Sequence, residues 1–240
     1  MKVRVAYIEE PPFYWTGDHR RPTGADIEVA EVVLRAIGVT DIEYHLTSFG
    51  EFLPGVQEGR WDMNVPIFVT AERARQVAFS VPVWTIGDGF VVRSGNPKAL
   101  TSYEAVAARS DARLGLIPEQ IQFAAAKAAG VSDSQIMVLK GQPEGVAALM
   151  AGKIDAFPGT ALGSRSIAGA NSALEAVDVG AGSTGDAPIG AFSFAKGNGD
   201  LLEAVNRQLS QYLGSTDHRA RIAKYGFTSA EIDGVIGRQQ

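Results

Sequence analysis

In the first third of the chain, short stretches in which apolar and polar residues alternate are separated by stretches in which apolar residues recur at helical spacing. Strand patterns cover residues 2–8, 40–46 and 62–68. A helical pattern covers residues 25–37 and ends at Gly38, a residue that commonly terminates helices. Strands that alternate with helices are typical of a parallel sheet covered by helices, so this part is predicted to be an α/β unit.

The same alternation continues along the chain and starts again after the turn sequence SGNP. In the first part, short helices are predicted at 49–58 and at 70–76, the latter with Thr70 as its cap. The later elements are strands at 87–92, 112–117, 135–139 and 154–157, helices at 102–108, 120–129 and 143–151, a loop at 180–188, and a strand, a turn and a long helix in IGAFSFAKGNGDLLEAVNRQLSQYL.

The predicted fold class is therefore α/β with two lobes, each a mainly parallel sheet flanked by helices. Similar turns, RSGNP and AKGNG, follow the strands near 89–92 and 190–194, which we interpret as two strands crossing between the lobes. On this interpretation the first lobe comprises residues 1–91 and 190–240, and the second comprises residues 92–189.

Composition and charge exclude several classes of protein and of functional site. Hydrophobic residues make up 45% and charged residues 20% of the 240, as in ordinary globular proteins. The net charge is −5 and no block of lysines and arginines occurs, so we expect no nucleic-acid partner. No apolar run reaches the length of a membrane span. The absence of cysteine excludes disulfides, thiol nucleophiles and thiolate metal sites.

Common enzyme signatures are missing. The sequence has no GxxxxGK, GxSxG or HExxH motif, and no pair of carboxylates in an obvious acid–base setting. Its three histidines, His19, His45 and His218, lie apart in polar surroundings. We therefore expect no metal, no cofactor and no enzymatic activity.

Aromatic and charged residues follow three predicted strands in succession. Ligand sites in open α/β sheets lie at the carboxyl ends of strands, where these residues occur. One acid, one base and several rings suit a small zwitterion with an apolar, cationic body, which the rings attract by cation–π interaction. The alternative for each ring is packing in the core. The candidate residues are Glu10, Phe13, Phe49, Phe68 and Arg73.

Arg73 is the candidate on which this interpretation most depends. A guanidinium binds a carboxylate with two parallel hydrogen bonds, and a helix start nearby adds positive potential. The alternative is a surface arginine paired with Glu72 or Asp62.

A family resemblance is carried by EEPPF, TAERARQVAFSVPV, GKIDAFPGT, LLEAVNRQL and IAKYGF. The chain resembles the type II extracytoplasmic solute-binding proteins of ABC importers, in the amino-acid-binding branch. The resemblance implies two lobes that close over a ligand, a clamping arginine at Arg73 and an ABC permease as partner. It also implies a monomer in the periplasm or another extracytoplasmic location, with the signal peptide absent from this sequence.

The chain departs from the amino-acid binders and is closer to the ectoine- and hydroxyectoine-binding subgroup. Thr160 stands where amino-acid binders carry an acid, and IPEQIQ, residues 117–122, replaces their Gly-Thr-Thr loop. The resemblance therefore adds Glu119, Gln120 and Thr160 to the predicted ligand-binding residues. The predicted ligand is an ectoine-like compatible solute, another cyclic or quaternary zwitterion, or an amino-acid derivative.

Two other functions remain open at this point. Cyclohexadienyl and arogenate dehydratases resemble these binding proteins, and Glu119 lies in a loop where such an enzyme could keep an acid. A ligand-sensing domain of a receptor is the other, because such domains bind their ligands in the same way.

Overall fold

The computed structural model describes residues 1–180 and 188–236 of the chain. In the described residues the strands are β1 Lys2–Tyr7, β2 Trp15–Thr16, β3 Pro22–Thr23, β4 Asp41–Leu46, β5 Met63–Phe68, β6 Ala78–Phe79, β7 Trp84–Thr85, β8 Asp88–Arg93, β9 Leu114–Leu116, β10 Ile136–Val138, β11 Ala156–Thr160, β12 Leu174–Gly180 and β13 Ile189–Phe194. The α-helices are α1 Ala25–Ala36, α2 Phe52–Gln57, α3 Ala71–Gln76, α4 Tyr103–Ala107, α5 Ile121–Ala128, α6 Gln142–Met150, α7 Ala161–Ala170, α8 Gly199–Tyr212, α9 Thr216–Ala223 and α10 Ser229–Ile236.

The chain forms two compact units. Unit 1 comprises Met1–Thr85 and Pro188–Gln240, and unit 2 comprises Ile86–Ala187. The lobe boundaries predicted above lie a few residues from these limits. The loop predicted at 180–188 falls mostly outside the described residues.

The sheet of unit 1 has the strand order β4-β1-β5-β13-β6, with β7 also paired to β13. Strand β1 runs parallel to β4 and β5, and β13 runs antiparallel to β5. All six residues of β5 are buried, as expected for a central strand covered on both faces. Because β1 and β5 are parallel, the segments that follow them leave the sheet at the same edge.

Unit 2 has a five-stranded sheet with the order β10-β9-β11-β8-β12. Its parallel part consists of β9 with β10 and β11, and β8 is antiparallel to both of its neighbours, β11 and β12. The core on one face packs Phe90 and Val92 of β8 against Leu114, Leu116 and Tyr103. Both sheets are thus mixed, with a parallel part and an antiparallel part.

The two strands interpreted as crossings each belong to one sheet. Strand β8 pairs on both edges within unit 2, and β13 pairs with β5, β6 and β7 within unit 1. Backbone pairing therefore assigns β8 to the second unit, although its residues 88–91 were predicted in the first lobe.

Most of the predicted elements form within a few residues of their expected limits. Helix α1 is predicted well because its apolar face buries Ile27, Ala30, Val33 and Leu34 against the sheet. The predicted helix at 49–58 is split into a 3-10 turn at Phe49–Glu51 and α2. In the described ranges, no helix combines the length and apolar character that crossing a membrane requires.

Candidate functional site

Arg73 lies in the first turn of α3, directly after the carboxyl end of β5. The Thr70 hydroxyl accepts the Arg73 backbone N–H at 3.1 Å, so the helix begins at the predicted cap. Arg73 is buried, with 7% of its surface exposed, and its Nη1 donates to the carbonyl oxygen of Phe68 at 2.7 Å. Its Cζ lies 5.0 Å from the centre of the Phe49 ring. The guanidinium is therefore held against a ring and the end of β5 rather than extended into solvent.

The partners considered for a surface arginine are arranged differently. Asp62 pairs with Arg4 at 2.8 Å, and Glu72 is exposed in the first turn of α3. Arg73 is buried, whereas an arginine that served only in a surface ion pair would be exposed, so the surface alternative does not describe Arg73.

Glu10 lies in the loop that follows β1. The hydroxyl of Tyr14 donates to its Oε2 at 3.2 Å and also reaches the Pro66 carbonyl at 3.3 Å. Loss of solvation raises the pKa of Glu10 to about 7, although the Tyr14 hydrogen bond and the Arg73 charge act in the opposite direction. A further positive charge close to this carboxyl would lower its pKa and favour the ionised form.

The start of α1 holds this loop in place. The backbone N–H groups of Ala25 and Asp26 donate to the carbonyls of Pro12 and Phe13, at 3.0 and 2.9 Å. Gly24 has φ of +127°, and a Cβ there would lie 2.3 Å from the Phe13 carbonyl oxygen. Only glycine allows this close approach of the two backbones.

The candidate rings form two groups, and the ring of Phe49 contacts Arg73. Phe13 is 2% exposed and lies 5.6 Å from the ring of Trp84, which in turn meets Phe68 edge-on at 5.2 Å. Phe49 is only half-buried and packs on Phe52 at 5.8 Å. Phe13 therefore lies in the core behind the site, whereas Phe49 is the ring beside the guanidinium and Phe68 contacts the guanidinium through its backbone carbonyl.

Asp26 and Trp84 are two neighbours of this site that the sequence does not single out. Asp26 is 2% exposed, and its two carboxyl oxygens lie 3.2 and 3.4 Å from Trp84 Nε1, which donates to them. Burial raises the pKa of Asp26 well above its ordinary value, and the charge of Glu10 raises it further. In the sequence Asp26 looks like an ordinary acid in the first turn of a helix. Nothing near it in the sequence indicates that its partner is Trp84.

The three predicted residues of unit 2 lie at one edge of its sheet. Glu119 and Gln120 come after β9, and Thr160 ends the parallel strand β11. Glu119 is exposed with φ of +67°, and Gln120 occupies the cap position of α5. Thr160 is buried and its hydroxyl accepts the Gly163 N–H at 2.9 Å, so it caps α7. The Thr160 hydroxyl therefore already has a hydrogen-bond partner within unit 2.

A half-buried carboxylate that the sequence did not indicate lies beside Thr160. Asp88 begins β8 and is directly opposite Thr160 in the antiparallel register. Its Oδ1 accepts from Gln122 Nε2 at 2.8 Å and its Oδ2 accepts from the Tyr103 hydroxyl at 2.9 Å. Burial raises the pKa of Asp88 above its ordinary value.

Known proteins resemble this chain over nearly its whole length. A probable amino-acid ABC transporter periplasmic-binding protein of Sinorhizobium fredii is 26% identical over 97% of this chain and 79% of its own. The crystal structure of EhuB in complex with hydroxyectoine matches with a TM-score of 0.86, at 26% identity over 98% of this chain and 94% of that chain. An ancestral arginine-binding protein bound to glutamine matches with a TM-score of 0.81, at 25% identity over 93% of this chain and 97% of that chain.

These matches confirm the predicted type II periplasmic-binding-protein fold. The family model of bacterial extracellular solute-binding proteins, family 3, matches residues 3–228. The chain belongs to the bacterial extracellular solute-binding proteins of family 3.

Proposed function

We propose that this protein captures a small zwitterion outside the cytoplasm and delivers it to the permease of an ABC transporter. The family and the relative from Sinorhizobium fredii support solute binding for transport. The observation that carries the proposal is the buried guanidinium of Arg73, held by the Phe49 ring and the Phe68 carbonyl, with the carboxyl of Glu10 in the same unit. The protein acts by binding and release, as a monomer without a cofactor, and carries out no chemical step.

Arg73 binds the carboxylate of the ligand in this proposal. Its fork is oriented by the bond to the Phe68 carbonyl and by the Phe49 ring, so little side-chain entropy is lost when the ligand arrives. A carboxylate that accepts from a buried guanidinium makes short, charge-assisted hydrogen bonds. Removing one partner of such a pair costs about 2–5 kcal/mol of binding free energy.

Glu10, Phe13, Phe49 and Phe68 provide for the cationic part of the ligand. The pKa of Glu10 near 7 means that a bound cation would pull its proton off and gain a full ion pair. The faces of Phe49 and Phe68 add cation–π attraction of about 0.5–2 kcal/mol each. Phe13 contributes by supporting Trp84, against which the Phe68 ring packs.

Unit 2 contributes Glu119, Gln120 and Thr160 in this proposal, through closure of the two lobes on the ligand as the family resemblance implies. The exposed Glu119 and the half-buried Gln120 provide side chains for this contact. Thr160 contributes through the backbone or by exchanging its capping bond, since its hydroxyl already accepts from Gly163.

The ligand class that suits these groups is a cyclic amidinium carboxylate such as ectoine or hydroxyectoine, or an amino-acid derivative. The match to EhuB in complex with hydroxyectoine supports the first, and the match to an arginine-binding protein bound to glutamine supports the second. An acid, rings and a guanidinium each have a counterpart in a compact zwitterion of either kind.

A thermal-shift screen tests this function. The panel contains ectoine, hydroxyectoine, glycine betaine, L-arginine and L-glutamine, each applied to the wild type, Arg73→Ala and Arg75→Ala. A ligand at 100 times its dissociation constant stabilises the folded state by about 2.7 kcal/mol. We expect at least one zwitterion to stabilise the wild type and Arg75→Ala but not Arg73→Ala, because Arg75 is exposed on the same helix.

Two results would contradict the proposal. The first is that none of the zwitterions shifts the melting temperature, or that the same one stabilises all three proteins equally. The second is formation of phenylpyruvate when the protein is incubated with prephenate, which would indicate a dehydratase instead of a binding protein.

A further inference from the structure

Asp88 is the carboxylate on which this inference rests, and its place in unit 2 is set by strand geometry. Side chains of Asp88, Phe90 and Val92 point to the same face of β8, because alternate residues of a strand share a face. Phe90 and Val92 are fully buried in the core of that face. Asp88 therefore ends an apolar row with a polar group, at the sheet edge where Thr160 ends β11.

The hydrogen bonds of Asp88 leave it with unused acceptor capacity. Each carboxylate oxygen accepts one bond from a neutral donor, Gln122 Nε2 on Oδ1 and the Tyr103 hydroxyl on Oδ2. An ionised carboxylate has about four acceptor positions, so two remain for other N–H donors. The residue is half-buried, which leaves part of it accessible from outside.

A comparison with Asp155 in the same unit shows what is missing around Asp88. Asp155 pairs with Arg93 at 3.0 Å and with Lys98 at 2.9 Å, and these bonds lower its pKa despite burial. Within the described ranges 1–180 and 188–236, no cation pairs with Asp88, and its pKa is raised. A half-buried carboxylate without a cation is costly for a fold to keep, and such groups concentrate at functional sites.

We propose that Asp88 is the residue through which unit 2 binds the cationic group of the ligand. The group it accepts carries N–H donors, as an ammonium, amidinium or guanidinium does. Gln122 and Tyr103 hold the carboxylate in position, and the ligand occupies the remaining acceptor positions. This inference rests on the proposed function and names a specificity-determining residue for it, since ligands without N–H donors cannot use Asp88.

The structural alternative is that Asp88 only anchors Tyr103 of α4 and Gln122 of α5 to the sheet. In that case its loss would lower stability and leave ligand affinity unchanged. Asp155 provides the matched control, because its cationic partners belong to the protein itself and its loss should have that same effect.

The test is isothermal titration calorimetry with ectoine and L-arginine, which carry N–H donors, and with glycine betaine, which carries none. The proteins are the wild type, Asp88→Asn, Asp88→Ser and Asp155→Asn, each first shown to be folded by circular dichroism at the temperature used. Two substitutions at position 88 are included so that a folding defect of one does not decide the outcome.

We expect the two Asp88 variants to bind the N–H-bearing ligand at least about 30-fold more weakly than the wild type, the loss typical for removing one partner of a buried charge pair. Asp155→Asn should bind it within about twofold of the wild type while melting at a lower temperature. Binding by both Asp88 variants within about threefold of the wild type would overturn this inference alone. A wild type that binds none of the three probes would overturn the proposed function and this inference with it.

Discussion

The protonation of Glu10 gives a prediction whose size follows from the structure. Its carboxyl is desolvated in the loop after β1, which raises its pKa from 4.5 to about 7. The unfolded chain, by contrast, ionises this group near 4.5. Below pH 4.5 both states are protonated and the folded state keeps its full stability with respect to this group. Between pH 4.5 and 7 the group ionises in the unfolded chain but stays protonated in the folded protein. The folded protein therefore loses stability relative to the unfolded chain as the pH rises, and the loss levels off once the pH has passed 7.

The magnitude comes from the difference between the two pKa values. Each pKa unit corresponds to about 1.4 kcal/mol, so the shift from 4.5 to about 7 corresponds to about 3 kcal/mol of unfolding free energy. Glu10→Gln removes the titration and keeps an acceptor for the Tyr14 hydroxyl. The wild type should therefore lose about 3 kcal/mol relative to Glu10→Gln between pH 4.5 and pH 8.

Urea denaturation followed by tryptophan fluorescence measures this difference. All three tryptophans, Trp15, Trp61 and Trp84, lie in unit 1, so the signal reports the unit that contains Glu10. Taking the difference between the two proteins at each pH cancels the titration of other groups. A bound cationic ligand should reduce the slope, because it stabilises the ionised form of Glu10 in the folded state.

A difference that stays constant within about 0.5 kcal/mol from pH 4.5 to pH 8 would refute the reasoning. A difference that favours the wild type as the pH rises would refute it more strongly, since it would require a pKa below 4.5 in the folded state.

Two further predictions concern the structure around the site. Gly190→Ala would bring a Cβ within 2.2 Å of the Trp84 ring, so we expect a loss of about 1–3 kcal/mol in the same urea assay, together with weaker ligand binding by calorimetry. Asn64→Leu removes the buried amide that accepts from Trp61 Nε1 and donates to Ser193 Oγ. It should cost about 1–3 kcal/mol by urea denaturation because the Trp61 donor is left unpaired, and no loss would contradict that assignment.

The elements with clear local signals were predicted from the sequence. Helix α3 was predicted with its cap because Thr70 bonds a backbone group only three residues away. Strand β11 was predicted to end at residue 157 but runs to Thr160, because Pro158 and Gly159 pair with β8, and this pairing has no local signal. Strand β12, which also pairs with β8, and helix α7 were not predicted.

In the candidate site, too, the residues with a local signal were predicted and those defined by distant partners were not. Arg73, Phe49 and Phe68 were identified because each lies at or after the end of a predicted strand, and in the structure Arg73 contacts the Phe49 ring and the Phe68 carbonyl. Asp26 and Asp88 were missed. Asp26 accepts from Trp84, 58 residues away, and Asp88 accepts from Gln122 and Tyr103, 34 and 15 residues away. Only the folded structure shows that Asp26 is buried, that Asp88 is half-buried and that both pair with neutral donors.

The central claim is that Arg73 binds the carboxylate of a small zwitterion, and a crystal structure with the tightest ligand from the screen tests it most directly. The account predicts a ligand carboxylate oxygen about 2.7–2.9 Å from a guanidinium nitrogen of Arg73. It would be contradicted by a ligand-bound structure in which that carboxylate contacts other residues and the guanidinium of Arg73 points away from it.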